Sequence, residues 1–92
     1  MLIVAHHAIS DPETFWSAAK EIGSSMPPEF KLLSVYPSQD LKTGTCIWEA
    51  PGVEGVQKFI DDAVGKVSKN FCYEVNVAAA VGLPEMLAET TA

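Results

Sequence analysis

The sequence predicts an α+β domain in which two helices cover one face of a four-stranded antiparallel sheet. The patterns of strand and helix follow the order β-α-β-β-α-β, and the 92 residues suffice for a single domain, 1–92. Two helices of this length can cover only one face of such a sheet. The right-handed crossover rule then favours the ferredoxin-like arrangement, with the first and third strands in the centre. Residues 83–92 form a tail, in which Leu83, Met86 and Leu87 predict a short helical turn.

The first quarter of the chain provides a strand and a helix with clear boundary signals. The strand spans Leu2 to Ala8 and begins with a continuous apolar run, which is typical of burial on both faces. Asp11 is a good N-cap, and Pro12 suits the first position of the helix. Apolar residues then recur at helical spacing until Gly23, which predicts the end of the helix.

Three further strands and a second helix follow. Phe30 to Pro37 and Thr45 to Ala50 predict the second and third strands. Val53 to Ser68 carries the apolar stripe of a second helix. Asn70 to Val77 alternates strictly between two faces and predicts the fourth strand.

The predicted sheet leaves one face without a helix. The hydrophobic fraction of 48% is high for so small a domain, so this open face is expected to be covered by a second subunit, by a ligand, or by both. Two such sheets packed face to face form a homodimer, a dimeric α+β barrel with a cavity between its halves. A small-molecule ligand would occupy that cavity.

Charge and cysteine usage exclude several classes of partner and site. The formal charge of -6 disfavours nucleic acid and anionic membrane surfaces. The sequence contains no apolar stretch of about 20 residues that would span a membrane, and "MLIVA" lacks the features of a signal peptide. Cys46 and Cys72 lack the spacing of a redox or metal motif, so we expect reduced thiols in a cytoplasmic protein. Phosphate-binding loops and metalloprotease motifs are also absent from the sequence.

The stretch "CIWEAP", Cys46 to Pro51, stands at the end of the third strand and before the second helix. It resembles a Cys-x-aromatic-Glu-Ala-Pro motif found at the same place in a small bacterial ferredoxin-like family of unknown function. Some relatives of that family are described as nickel-binding. The resemblance extends over most of the chain in element order, and it implies a ferredoxin-like fold and nickel as a candidate cofactor. The candidate ligand residues discussed below would also suit zinc.

A looser resemblance links the chain to the dimeric α+β barrel monooxygenases and haem-degrading enzymes. Those proteins often carry a Trp late in the third strand and a polar residue late in the first, both directed into the cavity. Trp48 and His7 stand at similar positions here. At the level of the fold, this analogy implies a cavity-facing role for both residues.

His6 and His7 are the only histidines of the chain, and they are adjacent. Because neighbouring strand residues point to opposite faces, a regular strand cannot direct both to one metal. By analogy with the barrel enzymes, we expect Ile3, Ala5 and His7 on the open face. Leu2, Val4 and His6 would then face the helices or the end of the strand.

An open-face cavity would bring together His7, Cys46, Trp48 and Glu74, with Cys72 beside them. Imidazole, thiolate and carboxylate groups are ligands for zinc, nickel or copper, so His7 is a candidate metal ligand. His7 with a carboxylate could equally serve as a general base. Structural roles remain open as well, because buried cysteines often act as small apolar groups and Trp48 could fill a dimer interface.

Three functional hypotheses follow from these residues. The first is a small ligand- or metal-binding protein with its cavity on the open face. The second is a cofactor-independent monooxygenase or isomerase of the dimeric barrel type, in which Trp48 would orient the substrate and His7 would transfer a proton. The third is a structural or regulatory module that binds no ligand.

Overall fold

The computed structural model describes residues 1–83, which form a four-stranded antiparallel sheet and two α-helices. The elements are β1 (Leu2–Ile9), α1 (Pro12–Glu21), β2 (Lys31–Pro37), β3 (Thr43–Glu49), α2 (Val53–Val64) and β4 (Ser68–Glu74), with a short 3-10 turn at Ile22–Ser24. The strand order is β2-β3-β1-β4. This confirms the α+β, ferredoxin-like βαββαβ fold with β1 and β3 in the centre. The turn predicted at Met86 and Leu87 lies outside the described residues.

Helix α1 begins as its sequence predicts. The Asp11 carboxylate accepts hydrogen bonds from the Thr14 backbone N–H at 3.2 Å and from the Thr14 hydroxyl at 2.7 Å. These bonds lower the pKa of Asp11, because they favour its charged form. Pro12 occupies the first turn, where its missing N–H costs nothing.

Helix α2 is shorter than the apolar stripe suggests. The prediction that it continues to Ser68 is wrong, because the helix ends at Val64 and Ser68 already begins β4. A Cβ atom at Gly65 would collide with the carbonyl of Asp61, which suits this position to glycine at the helix end. Strand β4 correspondingly starts two residues earlier than predicted and ends at Glu74 instead of Val77.

Strand β4 is an edge strand whose outer backbone is covered by a side chain of α2. Gln57 donates from Nε2 to the carbonyl of Asn70 at 2.8 Å, and its Oε1 accepts from the N–H of Cys72 at 3.0 Å. One amide side chain thus occupies the donor and acceptor that a further strand would use. This arrangement protects the edge against pairing with another chain.

The core lies between the sheet and the two helices. Trp48, Ile3, Ile60 and Val56 are its largest fully buried side chains. Trp48 makes edge-on contacts with Phe59 and Phe30 at centroid separations of 6.1 and 6.4 Å. Within residues 1–83, neither helix has the length and apolar character needed to cross a bilayer.

Candidate functional site

The structure reverses the expected orientation of the central strands. Ile3, Ala5 and His7 are buried beneath the helices, whereas Val4 and His6 lie on the open face. The prediction that His7 faces an open-face cavity is therefore wrong. The same correction applies to Cys46 and Trp48, which are buried on the helix-covered side. The reason is that Phe15 of α1 packs against the His7 ring, at a centroid separation of 5.2 Å.

His7 forms a hydrogen bond through each nitrogen of its buried ring. Its Nδ1 atom lies 2.7 Å from Oδ1 of Asn70, the residue opposite it on β4. Its Nε2 atom lies 3.2 Å from Sγ of Cys46 on β3. The imidazole therefore joins the two strands that flank β1.

The direction of these hydrogen bonds follows from Asn70. Its Nδ2 group donates to Oδ1 of Asp61 at 2.9 Å, and a carboxylate can only accept in such a bond. The Oδ1 atom of Asn70 consequently faces His7 and accepts a hydrogen bond from Nδ1–H. In the neutral ring, Nε2 then carries the lone pair and accepts the hydrogen bond from the Cys46 thiol.

Burial determines the charge state of this pair. Desolvation lowers the pKa of His7, an effect that the hydrogen bond to Asn70 partly opposes. Desolvation likewise raises the pKa of the Cys46 thiol to about 11, with a smaller contribution from Cys72. The resting pair is therefore a neutral thiol hydrogen-bonded to a neutral imidazole.

A small cavity lies against the His7 and Cys46 side chains. Its volume is about 40 Å³. Helix α1 forms one side of it with Phe15, Trp16 and Ala19, and the other side includes Trp48 of β3. A single water needs roughly 10–15 Å³, whereas a cavity of about 150 Å³ holds benzene. The cavity thus has room for a molecule of a few heavy atoms.

Trp48 contributes to this cavity wall and also carries an unpartnered indole N–H. Its side chain is only 2% exposed, and its Nε1–H has no hydrogen-bond partner among residues 1–83. A buried donor without a partner carries a desolvation penalty of about 1–3 kcal/mol. The Nε1 atom is enclosed by other protein atoms, and its hydrogen-bond donor stays unused within residues 1–83.

Trp16 packs over the sheet where β3 carries a glycine. Its Nε1–H donates to the carbonyl of Leu41 at 3.0 Å, and its ring makes an edge-on contact with Phe15 at 4.7 Å. A Cβ atom at Gly44 would lie 2.9 Å from the Trp16 ring. The absence of a side chain at Gly44, directly opposite His7, makes room for this wall of the cavity.

Glu74 and Cys72 do not belong to this cluster. Both point to the helix side of β4, but Glu74 pairs with Ile3, four positions along β1 from His7 and about 13 Å away at 3.3 Å per residue. Cys72 pairs with Ala5 and is a buried free thiol, as is Cys46. Within residues 1–83, no group of three or more His, Cys, Asp or Glu side chains is positioned to hold a metal ion.

Asn70 was not predicted as part of the site, and Asp61 of α2 supports it. Asp61 is exposed, but it accepts hydrogen bonds from Asn70 and from Gln57. The sequence signal was the polar Asn70 on the same face of β4 as the buried Cys72. Only the pairing of β4 with β1 shows that this amide lies opposite His7.

The open face is a second surface with functional potential. It carries exposed aromatic side chains at both edges, with Tyr36 62% exposed and Phe71 65% exposed. Tyr73 lies beside Phe71, at a ring separation of 5.9 Å. Val4 and Ile47 lie between these edges and are only partly buried. This surface is more apolar than a solvated sheet face requires.

No family model matches the chain, and no curated protein matches it. The family resemblance of the "CIWEAP" stretch accordingly stays a prediction.

Proposed function

We propose that this protein is a homodimeric small-ligand-binding protein whose ligand occupies the cavity between α1 and the sheet. The observation that carries the proposal is the buried hydrogen bond between His7 and Cys46 in the wall of a largely apolar cavity. This site replaces the open-face cavity expected from the sequence. The ligand makes contact with the imidazole, the thiol and the indole of Trp48.

The polarity of the wall supports a binding role. Apolar side chains of similar shape would close the core without the cost of desolvating an imidazole and an amide. His7 is 2% exposed and requires Asn70 to satisfy its second nitrogen.

The size of the cavity defines the class of ligand. A volume of about 40 Å³ suits a molecule of two to four heavy atoms. Ligands of ordinary metabolite size occupy roughly 300–1,000 Å³, and they would require α1 to move away from the sheet. The cavity therefore suits a small uncharged molecule better than the larger substrate of a barrel monooxygenase.

The donor set makes a metal the weaker alternative. His7 and Cys46 are two donors, whereas zinc sites use three or four protein ligands. Cys72 is the nearest further thiol in the same sheet layer, and it is separated from Cys46 by β1. Because both thiols are free, we propose a reducing, cytoplasmic setting for the protein.

The open face supports association with a second copy of the chain. Tyr36, Phe71 and Tyr73 provide aromatic surface of the kind enriched in interfaces. Of the acidic residues in 1–83, Glu49 alone occupies a strand position on this face, where Lys31 stands opposite it. Two chains of charge -6 therefore approach with least repulsion when their open faces meet.

The cavity can be tested with xenon, which enters small apolar cavities. We expect xenon to shift the methyl NMR signals of Ile60 and Val64, which line the cavity. Ala19→Leu should fill the cavity and abolish these shifts. Ala63→Leu, at an exposed position of α2, is the matched control and should preserve them.

Native mass spectrometry of the purified protein, with and without a chelator, tests the rest of the proposal. A dimer whose additional mass survives the chelator and decreases in His7→Gln would support a small ligand. Additional mass that the chelator removes would show that the protein binds a metal instead of the proposed small ligand. Xenon shifts that are absent, or unchanged in Ala19→Leu, would contradict the proposed cavity site and favour a structural module.

A further inference from the structure

We infer that Cys46 is a peroxide-reactive thiol for which His7 serves as general base and Asn70 as positioning residue. The inference depends on the cavity site proposed above and names the class of molecule that enters it, a small hydroperoxide such as hydrogen peroxide. The product is a sulfenic acid on Cys46.

The hydrogen-bond chain has the polarity that this reaction requires. Nδ1–H of His7 donates to Asn70 at 2.7 Å, which leaves the lone pair of Nε2 directed at the Cys46 thiol at 3.2 Å. Asn70 is itself held by the Asp61 carboxylate at 2.9 Å. When His7 gains a proton, the amide oxygen of Asn70 stabilises the resulting imidazolium.

The step balances without a cofactor. As the sulfur of Cys46 attacks one peroxide oxygen, Nε2 of His7 takes the thiol proton. An S–O bond forms, the O–O bond breaks, and the leaving hydroxide receives the proton from Nε2 to become water. Sulfur loses two electrons and the peroxide gains them, so that one thiol and one hydrogen peroxide yield one sulfenic acid and one water.

The cavity selects the oxidant by size and charge. Hydrogen peroxide contains two heavy atoms and is neutral, so it fits a space of about 40 Å³ and crosses an apolar wall. A bulky hydroperoxide cannot enter unless α1 is displaced.

Cys72 provides a control within the same molecule. Both cysteines are 7% exposed, and burial raises the pKa of each thiol to about 11. Only Cys46 has an imidazole partner among the hydrogen bonds of residues 1–83. A difference in reactivity between the two thiols therefore reports the effect of His7 and the cavity, because the two residues are equally exposed and the pKa of both thiols is raised.

The experiment treats the reduced, folded protein with hydrogen peroxide, quenches free thiols by alkylation and follows the gain of one oxygen at each cysteine by peptide mass spectrometry. We expect Cys46 to react about 100-fold faster than Cys72, the lower end of the range for a positioned general base. His7→Gln should remove most of this advantage. Replacing hydrogen peroxide with tert-butyl hydroperoxide should remove it in the wild type, and unfolding in urea should equalise the two rates.

The role of Asn70 is tested through the pH profile of the reaction. Asn70→Leu leaves Nδ1 of His7 without an acceptor, so the rate at Cys46 should fall and its pH profile should shift. Asn70→Asp retains an acceptor oxygen and should recover much of the rate. If Asn70 had only a structural role, its substitution would lower the folded fraction without shifting the pH profile of the reaction at Cys46.

Equal rates at Cys46 and Cys72 in the wild type would overturn the inference, and this result needs no variant to fold. An unchanged advantage of Cys46 in a folded His7→Gln variant would do the same. Xenon shifts at Ile60 and Val64 that persist in that case would show that the ligand cavity stands and that only the peroxide chemistry fails.

Discussion

The Nδ1 atom of His7 lies 2.7 Å from Oδ1 of Asn70, and the two residues face each other across the β1–β4 pair. The contact connects a buried imidazole to the surface, because Asn70 also binds the exposed Asp61 carboxylate. It selects the tautomer of His7 in which Nδ1 carries the proton, and it thereby leaves the lone pair of Nε2 facing Cys46. The pairing of two strands thus determines the chemistry available in the core.

The buried His7 should make the protein less stable in mild acid. Its pKa in the folded chain is lowered by burial, whereas in the unfolded chain it returns to about 6.5. Between these values the unfolded chain binds more protons, so the free energy of unfolding falls as pH falls below about 7, by at most about 1.4 kcal/mol per pH unit. Urea denaturation between pH 5 and 8 measures this slope.

His7→Gln should weaken that dependence, because it removes the group that gains a proton on unfolding. His6→Gln removes a histidine from the exposed face and is the matched control, for which we expect the wild-type slope. A wild-type slope in His7→Gln would contradict the assignment.

Gln57→Ala should expose the edge of the sheet. The variant loses the hydrogen bonds to the backbone of Asn70 and Cys72, which should lower the free energy of unfolding by about 1–2 kcal/mol. Because the freed edge can pair with another chain, we also expect faster aggregation on heating. Urea denaturation and light scattering measure the two effects.

Lys58→Ala is the control on the same helix. Its ion pair with Asp62 at 2.9 Å is exposed, with side-chain exposures of 79% and 69%, and such pairs contribute about 0.3–0.5 kcal/mol. A larger loss in Lys58→Ala than in Gln57→Ala would contradict the proposed edge protection.

Gly44→Ala should disturb the wall of the cavity. The new methyl group would stand 2.9 Å from the ring of Trp16, which is held in place by its bond to Leu41. Overpacking of this kind costs about 1–3 kcal/mol, and displacement of the indole should change the fluorescence of Trp16. Chemical denaturation followed by fluorescence records both effects.

Gly23→Ala is the contrasting substitution, since nothing lies within 4 Å of its added methyl group. We expect it to be neutral or to stabilise the protein by up to about 1 kcal/mol, because the unfolded chain loses freedom. Equal losses at Gly44 and Gly23 would mean that the close approach of Trp16 has no energetic weight.

Phe71→Lys should shift the proposed dimer towards monomer. Phe71 is 65% exposed on the open face, beside Tyr73, and an interface would have to bury the new ammonium group on each subunit. Sedimentation velocity over a range of concentrations measures the shift. Val81→Lys is the control, since Val81 is 99% exposed and lies outside the sheet. A wild-type monomer would contradict the proposed assembly.

Much of the fold could be predicted because the local signals agree with the tertiary structure. Asp11 and Pro12 mark the start of α1 in the sequence, and their capping contacts are present. The end of α2 was missed because Val67 continues the apolar stripe into the next connection. The spacing of apolar residues does not show that the helix ends just before Gly65.

The sequence by itself determined the element order, the two central strands and the placement of His6 and His7 on opposite faces, since side chains alternate along any strand. Only the tertiary structure decided which of these faces the helices cover. Alternation shows which residues of β1 share a face. Because β1 begins with apolar residues on both faces, its pattern does not show which face the helices cover. In the structure, Phe15 of α1 packs on His7, so the face of β1 that carries His7 lies beneath α1. Strand register then brings His7 to Asn70 and Cys46, residues that lie 63 and 39 positions away along the chain.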